Sequence, residues 1–225
     1  YSIKNGKAMN KSEIMNHKLY KVWSQVPVTY YQKGIKENIL QTLWHSHKIR
    51  LAKRIIDKIE FQNCLDVGCA SGYMVSEIAK EFPNAEYFGI DIYDKAIEYA
   101  KKTYPRIKFE IASAAKLPFK DNFCDLILFY ETIEHVEEPM KCLLEIKRVL
   151  RKGGTLILTM DSGSLLFRFI WLIWENSKGK IWKRAHLHPF HHEELEKIID
   201  SAGFKIKNKI FSFLGMEVTF VLSKI

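Results

Sequence analysis

The chain has 225 residues, of which 47% are hydrophobic and 13% aromatic, so it can bury a sizeable core and a disordered polypeptide is excluded. No apolar run reaches the roughly 18 residues that a membrane-spanning helix needs, and residues 1–10 lack an apolar signal-peptide core, so we expect neither a spanning nor a secreted protein. The formal net charge of +9 is concentrated in residues 1–60, which carry 12 Lys and Arg against 4 Asp and Glu. Such a basic segment can meet nucleic acid, an anionic lipid surface or an anionic substrate, or can simply be solvated.

The N-terminal part of the chain is predicted to be a helical arm. Residues 35–60 contain neither Gly nor Pro and repeat apolar side chains at helical spacing, which predicts one long amphipathic helix. We therefore divide the chain into a basic helical arm or cover, residues 1–60, and a second unit, residues 61–225. Tyr30 and Tyr31 precede the helix and are candidates to line a substrate pocket, with anchoring of the arm as the alternative.

Residues 61–160 alternate short apolar strands with helices, which is typical of stacked β-α-β units and a mostly parallel sheet covered on both faces. The predicted strands are Cys64–Val67, Tyr87–Ile90, Ile107–Ile111, Cys124–Phe129 and Thr155–Met160. The predicted helices are Ser71–Phe82, Asp94–Thr103 and Glu131–Arg151, the last broken near Pro139. Further along, a helix at Glu193–Ala202 precedes two strand-like runs, Phe204–Phe213 and Met216–Ser223, whose two-residue link predicts an antiparallel hairpin at the sheet edge. The fold class is thus α/β, doubly wound, with seven strands.

The four cysteines do not indicate a metal or redox pair. Cys64, Cys69, Cys124 and Cys142 form no C-x-x-C spacing. Unpaired cysteines are typical of a reducing compartment, so we predict a cytoplasmic protein.

A turn of small residues joins the first strand to the first helix. It lies between Asp66 and Gly72, and such a turn lets backbone amides approach a ligand at the carboxyl end of the sheet. Asp91 ends the second strand, next to this turn in a right-handed β-α-β unit, where its carboxylate can accept hydrogen bonds from both ribose hydroxyls. A plain structural turn with a solvated Asp91 is the alternative.

The spacing of the turn favours one nucleotide cofactor over another. A dinucleotide turn reads G-x-G-x-x-G and seats a pyrophosphate, whereas this turn reads G-x-A-x-G with an acid two positions before it. A carboxylate at Asp66 would repel a pyrophosphate and attract an ammonium group. The sequence therefore favours the cationic sulfonium S-adenosylmethionine (SAM) over NAD, and an NAD-type oxidoreductase is kept as a rival.

Several ordered motifs resemble one enzyme family. In order along the chain stand C-L-D-V-G-C-A-S-G-Y, G-I-D-I, A-A-K-L-P-F-K-D-N-F-C-D-L-I-L, E-T-I-E-H-V-E-E-P and V-L-R-K-G-G-T-L. Together they resemble the class I SAM-dependent methyltransferases, and within them the ubiquinone and menaquinone biosynthesis branch. The likeness covers residues 40–160 and resumes at Phe190–Phe204. It implies a Rossmann-like methyltransferase fold, with SAM as cofactor and S-adenosylhomocysteine as product.

The resemblance also implies the cofactor contacts. They map to Asp66, Gly68, Cys69, Ala70, Gly72, Asp91, Ile92, Ser113, Ala114 and Tyr130. Asp66 would lie near the amino group of the cofactor, Asp91 would hold the ribose and Ile92 would lie against the adenine. Two positions depart from the family pattern. Ala70 replaces a glycine, a modest change if its backbone is ordinary, and Ser113 replaces an Asp, which weakens the expected adenine contact.

Methyl transfer needs a nucleophile in line with the S–C bond, and an oxygen nucleophile also needs either a base or a lowered pKa. His135 is the first candidate for a polar group near the acceptor and Glu131 the second, because both follow the fourth strand where the site would open. A capping or packing role is the alternative for His135.

The segment from His186 to Glu193 contains four histidines but matches no standard zinc spacing, so we expect no metal. Within it, His186 or His188 can face the acceptor, and His188 is kept as a substrate-binding candidate. Asp161 is interpreted as part of a helix cap rather than a magnesium ligand.

An aromatic insert, residues 162–190, contains the run Leu165–Trp174, with nine apolar residues in ten, followed by Lys178, Lys180, Lys183 and Arg184. It suits a lid over an apolar pocket or a helix at a bilayer surface, and Trp171 is a substrate-binding candidate. Packing on the body or contact with a second copy in a homodimer is the alternative.

These features predict a small, apolar or lipid-like acceptor, O- or C-methylated by in-line attack, in a cytoplasmic protein that can contact a membrane surface. Besides the NAD-type oxidoreductase, two rival functions remain. A nucleic-acid methyltransferase would use the basic arm. The N/D-P-P-Y motif of DNA amino-group enzymes is absent, which leaves an RNA-modifying enzyme as the first rival. A non-catalytic SAM-binding module would bind the cofactor without turnover. Nucleic acid is the less favoured partner.

Overall fold

The computed structural model describes residues 20–30, 38–176 and 186–224. Tyr31 and the basic run after the aromatic segment lie outside these residues, so their predicted roles stay predictions. The helices are α1 Tyr20–Trp23, α2 Ile39–Ile56, α3 Tyr73–Glu81, α4 Asp94–Thr103, α5 Pro139–Val149, α6 Leu165–Asn176 and α7 His192–Ser201. The strands are β1 Asn63–Val67, β2 Glu86–Asp91, β3 Lys108–Ile111, β4 Cys124–Tyr130, β5 Leu150–Asp161, β6 Phe204–Ser212 and β7 Glu217–Lys224.

The seven strands form one sheet in the order β3-β2-β1-β4-β5-β7-β6. All neighbouring pairs from β3 to β5 are parallel, whereas β7 is antiparallel to both β5 and β6. At the centre, Leu65 of β1 pairs with Phe88 of β2 and with Ile127 of β4. The doubly wound sheet with an antiparallel C-terminal hairpin, predicted from the alternation of apolar runs, is confirmed.

Two apolar layers cover the sheet. On one face, α2, α3 and α4 pack through fully buried side chains, among them Ala52 and Ile56 of α2. On the other face, α5 and α7 contribute Leu143, Ile146 and Leu195, which are also fully buried. Burial of each large aliphatic side chain stabilises the fold by roughly 1.5–3 kcal/mol. Helix α2, assigned to the arm from the sequence, thus supplies part of the core.

The segment between β4 and α5 differs from the prediction. Residues 131–138 form turns, not the first half of a helix, and α5 begins at Pro139. Proline presets the backbone for a first helical turn but disfavours helix in the residue before it, which explains the break. Glu131 moreover has a φ of 45°. The helix ends at Val149, and β5 begins at Leu150 rather than at Thr155.

Among the described residues, no helix combines the length and the apolar character that crossing a bilayer requires.

The parallel arrangement of the central strands brings three carboxylates together. Because β1, β2 and β4 run in the same direction, Asp66, Asp91 and Glu131 come together at the carboxyl edge of the sheet.

Candidate active site

The turn after β1 requires glycine at its first position. Gly68 has a φ of +75°, and a Cβ atom there would lie 2.3 Å from the Thr132 hydroxyl oxygen. Gly72 has a φ of +78°, and a Cβ atom added there would lie 2.6 Å from the ring of Phe109. Gly72 shapes the turn, but it is not among the residues that line the two cavities described below.

Ala70 lies in the same turn with a φ of 46°. This left-handed conformation costs a residue with a side chain roughly 1–2 kcal/mol. The sequence-based expectation that the alanine adopts an ordinary backbone conformation is therefore wrong. The strain is held in place because the Ala70 amide donates to the Asp91 carboxylate, with an N···O distance of 2.8 Å.

The Gly68 position gives a prediction about stability. The Gly68→Ala variant should lose about 2–4 kcal/mol of unfolding free energy, since a positive φ and a steric overlap act together. Gly153 is the matched control, because it has the same φ of +75° but open space around an added Cβ. Gly153→Ala should cost only about 1–2 kcal/mol. Urea denaturation of both variants measures the difference, and equal losses would contradict the role of Thr132.

Two cavities meet beneath this turn. The β2 cavity is lined by Trp23, Ile90, Asp91, Ile92, Ser113, Ala114 and His135, among others. The β1 cavity is lined by His45, Lys48, Asp66, Cys69, Met74 and Tyr130, among others. Both cavities are bounded by Gly68, Ala70 and Glu131. The structure thus brings nine of the ten predicted cofactor contacts, all except Gly72, to two adjoining cavities.

Asp91 organises the floor of the β2 cavity. Its carboxylate accepts hydrogen bonds from the backbone amides of Ala70 and Tyr93, each at 2.8 Å. Burial raises the pKa of this carboxyl, and the backbone hydrogen bonds act in the opposite direction. Each oxygen retains capacity to accept a further hydrogen bond from a hydroxyl group.

Asp66 plays a different part in the β1 cavity. The residue is 2% exposed, and its Oδ2 atom has no hydrogen-bond partner among the described residues. Burial raises the pKa of Asp66 to about 7, the charge of Asp91 adds to the shift, and a backbone hydrogen bond from Val75 offsets part of it. A buried acceptor without a partner is destabilising unless a ligand satisfies it. The site therefore fits a ligand with a cationic group at Asp66 and hydroxyl groups at Asp91, which is the charge pattern of SAM.

A buried ion-pair cluster lies beside Asp66 and was not predicted from the sequence. Lys48, 5% exposed, contacts the carboxylate of Glu131 and lies 3.0 Å from that of Glu217. Burial alone would lower the pKa of Lys48, but the two carboxylates together raise it. For Glu131, burial would raise the pKa, and Lys48 outweighs burial and lowers it. Lys48 stands four residues before the buried Ala52, so a lysine on the apolar face of α2 was the available signal.

The aromatic segment connects to the β2 cavity through histidines. His135 lines this cavity, and its ring centroid lies 4.9 Å from that of His186. The His186 ring stacks on Trp171 with a centroid distance of 4.6 Å. His188, another predicted substrate residue, makes different contacts. Its Nε2 atom lies 3.4 Å from the Glu137 carbonyl oxygen, and its ring centroid lies 5.4 Å from that of Phe190.

Tyr30 follows the segment that covers the β2 cavity, where its amide donates to the Pro27 carbonyl at 2.8 Å. It is not among the residues that line the described cavities, so its substrate role stays a prediction. Trp23 and Val26 of the same segment do line the β2 cavity, a covering role that was not predicted from the sequence.

The predicted role of Asp161 in a helix cap accounts for only some of its contacts. Its Oδ1 accepts from the Gly163 amide at 3.3 Å, while the Ser164 hydroxyl caps α6 by accepting from the Phe167 amide at 3.2 Å. The second carboxylate oxygen of Asp161, Oδ2, lies 3.8 Å from His186 Nδ1, so Asp161 also faces the pair formed by His135 and His186.

Comparison with known proteins gives the family context of this geometry. A family model described as a methyltransferase domain matches residues 65–158. A relative from Mycolicibacterium smegmatis, named a probable S-adenosylmethionine-dependent methyltransferase, is 23% identical over 183 residues, which cover 78% of this chain and 64% of the relative. An uncharacterized protein from Methanocaldococcus jannaschii is 32% identical over 176 residues, which cover 78% of this chain and 77% of that protein.

A solved structure, that of a protein from Pyrococcus horikoshii, superposes with a TM-score of 0.70 at 18% identity and covers 90% of this chain and 98% of its own. At this identity the likeness shows the fold. The chain spans 64%, 49% and 60% of the lengths of the first three curated relatives that it matches.

Proposed function

This chain belongs to the class I SAM-dependent methyltransferases, and we propose that it transfers the methyl group of SAM to a small, apolar or lipid-like acceptor. The observation that carries the proposal is the pair of adjoining cavities, one with the unpartnered carboxylate oxygen of Asp66 and the other with the carboxylate of Asp91. When bound, SAM supplies an electrophilic methyl group on a sulfonium.

The residues of the two cavities divide the work of binding. Asp66 would hold the amino group of the cofactor, and Asp91 would accept the ribose hydroxyls. Ile92 and Ala114 would lie against the adenine, and the Ser113 hydroxyl, which already accepts from the Ala115 amide at 3.2 Å, would face its edge. Glu131, which borders both cavities, marks the region where the methyl group would be presented.

His135 is the group that we propose beside the acceptor. The Glu131 carboxylate is held by Lys48, which lowers its pKa and makes it a poor proton acceptor. His135 lines the β2 cavity, and its ring lies next to that of His186, with 4.9 Å between the centroids. His135 would take the hydroxyl proton from an oxygen acceptor, and from a carbon acceptor it would take the proton that the methylated carbon loses.

An apolar acceptor is supported by the path from α6 to the cavity. Trp171 of α6 stacks on His186, and His186 lies beside His135, so an acceptor bound along this aromatic surface would reach the β2 cavity. The likeness of the sequence motifs to the ubiquinone and menaquinone branch supports an aromatic acceptor that carries a prenyl chain.

Incubation with labelled SAM tests the proposal. The protein is supplied with lipid, small-molecule and RNA fractions of a cell extract, and we expect label in the apolar small-molecule or lipid fraction. Label confined to RNA would overturn the choice of acceptor, and a steep loss of RNA binding with salt would then be expected. Cofactor binding without label in any fraction would indicate a SAM-binding module.

We further propose that α6 lies on an anionic membrane surface. Leu165, Phe169, Leu172 and Ile173 recur at the spacing of one helical face and are 84%, 63%, 59% and 56% exposed. The sequence after α6 is rich in Lys and Arg, which suits an anionic lipid headgroup.

The Phe169→Glu variant should therefore bind phosphatidylserine vesicles at least about tenfold more weakly, because a charge replaces a buried aromatic ring at the interface. Leu144→Glu, which places the same charge at a half-exposed apolar residue of α5, is the matched control and should bind within about twofold of wild type. Cosedimentation measures both. Equal binding of all three proteins would contradict the proposal, as would a dimer in solution that Phe169→Glu dissociates.

A further inference from the structure

We propose that Glu134, His135 and His186 form a binding site for a divalent transition-metal ion. One potential ligand atom from each of the three side chains lies within 4.8 Å of the other two. Glu134 and His135 come from the turns after β4, and His186 comes from the segment that leads to α7. This proposal replaces the sequence-based expectation that the protein has no metal site, because the fold joins residues 51 positions apart that no linear motif connects.

The strongest single observation is the Glu134 carboxylate. Glu134 is 3% exposed, and its Oε2 atom has no hydrogen-bond partner among the described residues. Its backbone carbonyl meanwhile accepts from the amides of Leu187 and His188, at 3.0 and 3.1 Å, which fixes the residue against the segment that carries His186. A buried carboxylate oxygen held in place without a partner is costly unless a cation completes its environment.

The surrounding charge also favours a cation. Glu134 lies close enough to Asp161 and Glu131 for their charges to interact, and Glu217 interacts with the same two. Lys48 contacts Glu131 and Glu217, and Arg168 acts on Asp161. Four carboxyl groups thus lie together with the two cationic side chains Lys48 and Arg168, and a divalent ion would offset the repulsion among the carboxylates that ionise.

The ligand atoms indicate which ions would bind. Two imidazole nitrogens and one carboxylate oxygen suit zinc, iron(II) or cobalt(II) better than magnesium or calcium, which prefer oxygen ligands alone. Asp161 Oδ2, 3.8 Å from His186 Nδ1, is placed to orient that imidazole. The Trp171 ring, stacked on His186 at 4.6 Å, limits its rotation from the other side.

The metal site does not depend on methyl transfer, but it affects the role of one residue. A metal-bound His135 cannot also accept a proton from an acceptor, so the ion would take over contact with the acceptor oxygen. Chelator treatment separates the two roles: loss of turnover that added zinc restores assigns the metal, and unchanged turnover leaves the base role to His135.

Titration of the chelator-treated full chain with Co²⁺ and Zn²⁺ tests the site directly. Visible Co²⁺ absorption and calorimetry should both report one strong site per chain in the wild type. Glu134→Gln and His186→Gln should each weaken that site about 100-fold or more, since ligand loss should exceed the 10–100-fold effect of outer partners. Glu134→Gln keeps the shape of the side chain and adds no charge to the interior, so it should stay folded.

His192→Gln is the matched control. His192 lies in a surface pair with His191, 4.2 Å between ring centroids, and represents adventitious binding. The His192→Gln variant should bind Co²⁺ with the affinity of the wild type. Zn²⁺ should raise the melting temperature of the wild type and of His192→Gln, but not that of Glu134→Gln. The proposal is overturned if the wild type binds no Co²⁺, if both cluster variants bind it as the wild type does, or if His192→Gln alone abolishes binding.

Discussion

Replacement of Asp91 by Ala should weaken SAM binding by about 100-fold or more. In the proposed complex, the carboxylate accepts the ribose hydroxyls, and a hydrogen bond to a charged group contributes about 1.5–3 kcal/mol, where 1.4 kcal/mol corresponds to a tenfold change in affinity. The loss should be similar for S-adenosylhomocysteine, because both molecules carry the same ribose. Isothermal titration calorimetry with the two ligands measures the effect.

Two variants keep this result interpretable. Asp57→Ala, at an exposed aspartate after the end of α2, should bind SAM as the wild type does. Because the Asp91 carboxylate also accepts the amides of Ala70 and Tyr93, its loss can loosen the turn. Asp91→Asn retains one carbonyl acceptor and should show an intermediate affinity. Wild-type affinity for SAM in Asp91→Ala would exclude this cavity as the ribose site.

Asp66→Asn should stabilise the ligand-free protein at pH 8 and yet weaken SAM binding. Burial raises the pKa of Asp66 to about 7, from the ordinary value of 3.8, so the folded state holds a proton that the unfolded state releases. The resulting stability is fully present below about pH 4 and is lost as the pH rises to and through about 7. By linkage the difference amounts to roughly 4 kcal/mol at most. The wild type and Asp66→Asn should therefore differ in urea-unfolding free energy at pH 8 and converge near pH 4.

Cofactor binding should show the opposite pH dependence. The ammonium group of SAM favours ionised Asp66, so wild-type affinity should rise between about pH 5.5 and 7 and binding should release a proton there. Calorimetry in buffers of different ionisation enthalpy detects that proton. In Asp66→Asn both the pH dependence and the proton release should be greatly reduced. A pH-independent wild-type affinity over this range would place the ammonium group elsewhere.

The fold was accessible from the sequence because its signals are local. The apolar runs at Cys64–Val67 and Cys124–Phe129 lie within one or two residues of the observed strands, since a strand buried on both faces is mostly apolar along its length. The break at Pro139 was also visible, but not its consequence. Residues before it satisfy their backbone groups through turns, such as the His135 amide donating to Thr132 at 3.0 Å, a choice that periodicity does not encode.

The turn after β1 was accessible for a similar reason. Small residues at Gly68 and Gly72 and a carboxylate at the end of each of two adjacent strands follow from the geometry of a β-α-β unit. The backbone state of Ala70 was not accessible, because its φ of 46° depends on a hydrogen bond to Asp91, 21 residues later. Local composition favours an ordinary conformation, and the tertiary contact overrides it.

By itself, the sequence determined the sheet, the order of its elements and the two carboxylates of the candidate cofactor site, since each of these rests on neighbours in the chain or on the handedness of the units. Only the tertiary structure decided which charges meet. Lys48, Glu131 and Glu217 come from α2, the end of β4 and β7, and His135 meets His186 across 51 residues. Electrostatic interactions act through space and strengthen where water is excluded, so a charge cluster assembled from distant segments leaves no periodic trace in the sequence.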